Sequence, residues 1–133
     1  MRVMLDTNIL ISAFIFKSKI MNELIYFLSR DHNIVICSYT IEEIKELLIT
    51  KFNNKDKVLD EFLKEFPFEL VYSPTTVNKE LFSIRDKDDY IILYTAIIEE
   101  VDVFITGDKD FDDVNIDRPE IMTASKFIET YYK

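Results

Sequence analysis

Short apolar stretches alternate with segments of helical periodicity along this chain, and that alternation limits what it can fold into. Asn33–Cys37 is rich in β-branched residues, and Val101–Thr106 has few polar residues, as expected of a strand covered on both faces. Alternating strands and helices predict a parallel sheet with helices on both sides and right-handed crossovers. We predict an α/β fold, a three-layer α/β/α sandwich around a mainly parallel sheet. Its five strands are expected at Arg2–Leu5, Asn33–Cys37, Phe68–Val71, Val101–Thr106 and Glu120–Met122.

The segments between these strands carry apolar residues at helical spacing. The segment Asp88–Glu100 is apolar almost all round, which is typical of a buried helix. No internal repeat or linker interrupts the pattern, so a single domain over residues 1–133 is predicted. The expected helices are Thr7–Phe16, Ile20–Ser29, one that Ser38 or Thr40 could cap and that runs to about Phe52, Val58–Phe66, Val77–Ile84, Asp88–Glu100 and Ala124–Tyr131.

Charge and cysteine content exclude several classes of function. The formal net charge is −9, so bulk nucleic acid and anionic membranes should be repelled. This excludes a basic surface that grips many phosphates, but not an acidic cluster that bound cations neutralise. Cys37 is the only cysteine and should be buried, which leaves no internal disulfide and no Cys/His zinc pattern. With no signal peptide or membrane-length apolar run in the sequence, we expect a cytoplasmic protein without membrane association.

Acidic residues follow two of the predicted strands. Asp6 comes directly after the first strand, with Asn8 two residues later, and Asp108 and Asp110 follow the strand that ends at Thr106. Open α/β sheets bind ligands at the carboxyl ends of their strands. Taken singly, however, such residues are also explained as a helix cap or a polar turn.

Two further acidic positions lie at predicted helix starts. Glu43 fits a capping box with Thr40, and helical phase does not separate it from Glu42. Before the buried helix stand three aspartates within four residues, and that is more than a helix start needs. They are Asp86, Asp88 and Asp89.

Together these positions place several carboxylates on one rim of the sheet. Such charges repel one another unless they are protonated or bridged by cations. Oxygen ligands suit Mg²⁺ or Mn²⁺, and no pair of histidines competes, because His32 is the only one and is expected in a solvated turn. One or two such ions could activate water and stabilise the leaving oxygen in phosphodiester hydrolysis. No Ser/His/Asp or Cys/His set is present in the sequence.

At these residues the sequence resembles the PIN-domain nucleases, especially the short PIN toxins of prokaryotic toxin–antitoxin pairs. The resemblance covers nearly the whole chain. Its most specific part is the opening motif Met4-Leu5-Asp6-Thr7-Asn8-Ile9-Leu10-Ile11-Ser12-Ala13. The other similar motifs are Ser38–Leu48, Asp86-x-x-Asp89 followed by Ala96, and Phe104-Ile105-Thr106-Gly107-Asp108-Lys109-Asp110-Phe111.

The resemblance implies a set of site residues and a cofactor. It favours Glu43 over Glu42, and it implies one or two Mg²⁺ ions, with Mn²⁺ as the alternative. The implied catalytic and metal-binding quartet is Asp6, Glu43, Asp89 and Asp108, with Asn8, Thr106, Asp86 and Asp110 as supporting residues.

The resemblance also implies an activity and partners. We expect a metal-dependent endoribonuclease that acts as a toxin, is inhibited by a cognate antitoxin and forms a homodimer. Tyr131 and Tyr132 would either assist dimerisation or complete the packing of the last helix. The alternatives are a housekeeping RNA-processing nuclease, an aspartyl-phosphate enzyme and a non-catalytic metal- or partner-binding module. Asn8 stands where an aspartyl-phosphate phosphatase usually has a second aspartate.

Overall fold

The computed structural model describes residues 1–51 and 56–133, and within them five strands form a parallel sheet. All four neighbouring pairs are parallel, and the order across the sheet is β3-β2-β1-β4-β5. This confirms the predicted sheet, with the first, second and fifth strands at their predicted bounds. The strands are β1 (Arg2–Leu5), β2 (Asn33–Cys37), β3 (Glu69–Val71), β4 (Val103–Ile105) and β5 (Glu120–Met122).

Helices connect the strands and cover both faces of the sheet. Several begin at a side chain that accepts a hydrogen bond from the first turn: Ser18 accepts from the Met21 amide at 3.3 Å, and Thr123 from the Lys126 amide at 3.1 Å. The helices are α1 (Thr7–Ile11), α2 (Lys19–Asp31), α3 (Ser38–Lys51), α4 (Asp56–Leu63), α5 (Lys87–Ile98) and α6 (Ala124–Tyr132).

Packing explains why the sheet is buried on both sides. Along β1, Val3 and Leu5 face one apolar cluster, which includes Phe127 of α6, whereas Met4 faces a second cluster with Phe104. All five of these side chains are fully buried. The predicted three-layer α/β/α sandwich is therefore confirmed, and Cys37 is buried as expected.

The strand order places a crevice between β1 and β4. The chain runs from β1 outward through β2 to β3 and then crosses back, so that β4 lies on the other side of β1. A reversal of this kind opens a crevice at the carboxyl ends of the two adjacent strands, which is where open α/β sheets bind ligands. Asp6 follows β1 there, and its backbone amide donates to the carbonyl oxygen of Ile105 at 3.0 Å.

The prediction of a helix over Val77–Ile84 was wrong. The amide of Glu80 donates to the side-chain oxygen of Asn78 at 3.0 Å, a local turn that competes with helical hydrogen bonding. Phe82 turns inward and stacks on Tyr90 with ring centroids 4.1 Å apart, and the Tyr90 hydroxyl donates to the Asn78 carbonyl oxygen. These contacts hold the segment as an ordered loop.

Two helices differ from the sequence interpretation, one in how far it extends and one in where it begins. The stretch predicted as one helix over Thr7–Phe16 is α-helical only to Ile11 and continues as a π-helical turn over Ser12–Phe16. Helix α3 already begins at Ser38, so Thr40 lies within its first turn and is not the N-cap. The capping box with Glu43 was therefore wrong, and the predicted helix end at Phe52 lies outside the described residues.

The expectation of a solvated His32 was also wrong. Its Nε2 atom lies 3.0 Å from the Tyr132 hydroxyl, and its ring is partly buried beneath α6. Tyr132 also stacks on Phe27 at 4.0 Å, so it completes the packing of α6, whereas Tyr131 is exposed. In residues 1–51 and 56–133, every helix is too short or too polar to cross a bilayer.

Candidate functional site

Asp6 is the most deeply placed carboxylate of the rim. It caps α1, and only 2% of the residue is exposed. Two hydrogen bonds hold its buried side chain. Oδ1 accepts from the Thr7 amide at 2.8 Å, and Oδ2 accepts from the Thr106 hydroxyl at 2.7 Å. The carboxylate is thus fixed in one orientation at the end of β1.

Thr106 connects Asp6 with the turn that follows β4. Its hydroxyl oxygen accepts from the Asp108 amide at 3.1 Å while its proton goes to Asp6. Asp108 in turn accepts from the Asp110 amide at 2.9 Å and caps a 3₁₀ turn over Lys109–Phe111. This chain of bonds sets the Asp108 turn beside the buried carboxylate.

Three aspartates bring their oxygens together next to this turn. One oxygen each of Asp89, Asp108 and Asp110 lies within 4.8 Å of the others, and all three residues are partly buried. Oxygens that share one Mg²⁺ at about 2.1 Å are at most about 4.2 Å apart, so a small side-chain adjustment brings this trio into range.

Glu43, and not Glu42, faces the same rim. Its Oε1 accepts from the Thr7 hydroxyl at 2.6 Å, and the residue is partly buried. The Glu42 side chain is 75% exposed and lies 3.9 Å from Lys45 on the surface of α3. The fold therefore separates two adjacent glutamates that helical phase alone could not.

Burial and mutual repulsion raise the pKa values of these carboxyl groups. The pKa of Asp89 is raised to about 7, first by burial and then by the charges of Asp6, Asp86, Asp108 and Glu43. Burial also raises the pKa of Asp6 and of Glu43, and each is raised further by neighbouring carboxylates. The raised pKa values show that the rim holds an excess of negative charge in partly desolvated surroundings.

The donor set fits a divalent cation. In the described part of the chain, Arg85 makes the only salt bridge to the trio, with its Nη2 3.2 Å from Asp110. A single exposed guanidinium does not balance the carboxylates of the rim. Hard oxygen donors with uncompensated charge are what Mg²⁺ and Mn²⁺ prefer in proteins.

The supporting residues differ in what they contact. Asp86 caps α5 by accepting from the amides of Asp88 at 2.7 Å and Asp89 at 3.3 Å, so it positions the helix that carries Asp89. Asn8 is exposed, and among the described residues its side chain makes no hydrogen bond. Asp110 belongs to the trio itself.

Sequence reasoning missed three residues that shape the rim. Thr7 was given no part in the site, yet its hydroxyl holds Glu43. The Tyr39 hydroxyl donates to Asp88, and this bond is the main cause that raises the pKa of Tyr39 to about 12. Arg85 directly precedes the acidic run, which was the one available signal that it lies beside the trio.

Cavity size does not mark this site. A cavity of about 670 Å³ between α2 and α4, lined by Phe14, Tyr26 and Phe62 among others, shares no residue with the rim. A smaller cavity of about 360 Å³ adjoins the rim and is lined by four acidic side chains. They are Glu42, Glu43, Glu46 and Asp88.

Removing the Asp89 charge should stabilise the metal-free protein at high pH. The folded state binds this proton more tightly than the unfolded state, so the cost grows as the pH rises from about 4 to about 7. With solvent screening allowed for, we expect Asp89→Asn to raise the free energy of unfolding by about 1–2 kcal/mol at pH 8 in EDTA and by almost nothing at pH 4.

Urea denaturation at the two pH values checks this expectation. Asp113→Asn removes an exposed aspartate and serves as the control, with no change expected at either pH. A stability gain that is the same at pH 4 and pH 8 would contradict the charge argument.

The comparison with protein families matches this arrangement to a known one. A family model described as the PIN domain matches residues 2–110. The chain belongs to the PIN-domain family. PIN domains are generally nucleases, and the resemblance found in the sequence motifs is confirmed.

The fold of this PIN domain is also that of a solved structure. The crystal structure of VapBC2 from Rickettsia felis, bound to a DNA fragment from their promoter, matches with a TM-score of 0.73. The alignment covers 92% of this chain and 98% of that chain at 20% sequence identity, so the comparison shows a shared fold only. No curated protein sequence matches the chain.

Proposed function

We propose that this PIN domain is a metal-dependent endoribonuclease that hydrolyses RNA phosphodiester bonds. The observation that carries the proposal is the carboxylate trio of Asp89, Asp108 and Asp110, joined to the buried Asp6 through Thr106. Asp6, Glu43, Asp89 and Asp108 would hold Mg²⁺ or Mn²⁺, one ion or two. Asn8, Thr106, Asp86 and Asp110 would support them.

Each proposed ligand has a distinct part. Asp6 offers a carboxylate whose direction is fixed by Thr7 and Thr106, so little ordering remains when a cation binds. Asp89 and Asp108 come from different elements and close the site from the α5 side and the β4 side. Glu43 uses Oε1 to accept from Thr7, which leaves Oε2 for a cation or for orienting the attacking water.

The chemistry follows from that arrangement. Bound Mg²⁺ or Mn²⁺ supplies Lewis-acid polarisation of the phosphate and a hydroxide at neutral pH. The protein contributes fixed ligands and a partly desolvated rim, in which the charge that develops on the phosphate is stabilised more than in water. A carboxyl group with a pKa near 7, such as Asp89, loses its proton readily when a cation binds.

We further propose that the protein is the toxin of a toxin–antitoxin pair. The opening motif, Met4–Ala13, supports this, because it resembles that of the short PIN toxins. The acidic cavity beside Glu43 and Asp88 suits a basic side chain of an antitoxin. A cytoplasmic homodimer is the form that the resemblance implies.

A matched pair of adjacent glutamates tests the nuclease. Glu43→Gln should reduce Mg²⁺- or Mn²⁺-dependent cleavage of single-stranded RNA by at least about 10²-fold, because the site loses one charge close to the reacting phosphate. Glu42→Gln, on the exposed face of α3, should leave cleavage within about twofold of wild type. Equal activity of the two variants, or no cleavage of any RNA with either metal, would contradict the proposal.

The same pair tests the toxin role in cells. Expression of wild type and of Glu42→Gln should arrest growth, whereas Glu43→Gln should not. Co-expression of a cognate antitoxin should relieve the arrest that wild type causes. If the protein cleaves RNA in vitro but its expression does not slow growth, the result would contradict the toxin role and would still support the ribonuclease activity.

A further inference from the structure

A second cavity lies beside the carboxylates, and its character is different. It has a volume of about 390 Å³ and is enclosed by the loop that leads into α5 and by the first turn of that helix. Three of its lining residues are cations and none is acidic. They are Lys79, Arg85 and Lys87.

These cations stand out because the protein as a whole carries a net charge of −9. All three are exposed, and in residues 1–51 and 56–133 neither lysine makes a salt bridge. Their charges are therefore available to an anion from solution. Glu80, Asp86 and Asp88 are their acidic neighbours in sequence, but none of them lines the cavity.

Arg85 joins this basic cavity to the carboxylate trio. Its guanidinium reaches Asp110, whose oxygen lies within 4.8 Å of oxygens of Asp89 and Asp108. Lys87 is the first residue of α5, two positions before Asp89. A chain that left the metal-binding rim on this side would enter the cavity directly.

The wall of the cavity is preformed. Phe82 and Tyr90 are buried and stacked at 4.1 Å, and the Tyr90 hydroxyl holds the carbonyl of Asn78. The loop backbone next to Lys79 is thereby held against the helix that Lys87 begins. The wall of the cavity therefore needs little rearrangement when a charged chain binds.

We propose that this cavity is a phosphate-binding subsite for RNA, in which Lys79 and Lys87 contact backbone phosphates next to the scissile one. The subsite rests on the proposed ribonuclease function and adds to it where the substrate strand runs. It also explains how an acidic protein retains a polyanion: two or three local cations hold the strand, while the bulk charge repels it elsewhere.

Steady-state cleavage with two charge-matched double variants tests the subsite. Lys79→Gln/Lys87→Gln should raise KM for single-stranded RNA roughly 10-fold and leave kcat and the Mn²⁺ dependence unchanged. The slope of log KM against log salt should fall by about 1.4, at about 0.7 for each phosphate contact. Lys126→Gln/Lys133→Gln removes the same charge from exposed positions on and after α6 and should change KM by less than about twofold.

Binding in EDTA separates this proposal from the proposed function. Fluorescence anisotropy of a labelled single-stranded RNA then reports the subsite without cleavage, and the Lys79/Lys87 variant should again bind roughly 10-fold more weakly. Equal weakening in both double variants would mean bulk charge and would overturn the subsite. Unchanged RNA binding and KM in the Lys79/Lys87 variant would also overturn it. An acidic protein partner would then be the expected ligand of the cavity.

Discussion

Asp6→Asn is expected to lower metal-dependent RNA cleavage by at least about 10³-fold, because metal ions at such sites supply several kcal/mol of transition-state stabilisation. Both oxygens of the buried Asp6 carboxylate are held by the fold, one by the Thr7 amide and the other by the Thr106 hydroxyl. The neutral amide keeps the shape of the side chain but removes the negative charge of the proposed ligand. The loss should therefore appear in kcat and in metal affinity together.

The same variant should fold at least as stably as wild type when metal is absent. Burial raises the pKa of Asp6, so the folded state bears a cost for its ionised form that the amide does not have. The oxygen of the substituted side chain can still accept from the Thr7 amide. The Thr106 hydroxyl oxygen has two lone pairs, so it can accept from the new amide while it still accepts from Asp108.

Cleavage rates at saturating Mn²⁺, together with urea denaturation in EDTA, check both halves of this expectation. Asp113→Asn, at an exposed position, is the control for loss of one negative charge. An Asp6→Asn enzyme that keeps more than about a tenth of wild-type activity would contradict the assignment of Asp6 as a ligand. A large loss of stability would mean that the effect on cleavage is structural.

Local sequence patterns predicted most of the fold because most strands and helices are determined by the residues of their own segment. The run Asn33–Cys37, rich in β-branched residues, became β2 at its predicted bounds, and the stretch after Asp88 that is apolar almost all round became most of α5. The helix predicted over Val77–Ile84 does not form, because its backbone hydrogen-bonds elsewhere. The Asn78 side chain accepts from a nearby backbone amide, and the Asn78 carbonyl accepts from the hydroxyl of Tyr90 in the next helix. A helical pattern does not reveal a competing contact with another element.

The site was less predictable because its contacts join distant parts of the chain. Glu43 is distinguished from Glu42 by a hydroxyl 36 residues earlier, and Asp6 is held by a hydroxyl 100 residues later. Helical periodicity reveals neither of these long-range contacts. The motifs favoured Glu43 only through the family resemblance. In the structure the Thr7 hydroxyl donates to Glu43, whereas the Glu42 side chain is exposed.

Phe111→Ala is expected to lower the free energy of unfolding by about 3–5 kcal/mol, a large part of the roughly 5–15 kcal/mol typical of such a domain. Phe111 is 1% exposed and packs against Phe104 of β4, with ring centroids 5.2 Å apart. It also ends the 3₁₀ turn that carries Asp110 and that Asp108 caps. Its loss should therefore weaken Mn²⁺ binding as well as the fold.

Phe127→Ala separates these two effects, since Phe127 is equally buried but packs on the opposite face of the sheet, in α6. It should cost a similar amount of stability, measured by urea denaturation, and leave the Mn²⁺ affinity of the folded protein unchanged in titration calorimetry well below both melting temperatures. Equal weakening of Mn²⁺ binding in both variants would mean that global stability, and not the packing of the Phe111 turn, controls the site. Unchanged binding in both would mean that the bonds from Thr106 alone position Asp108.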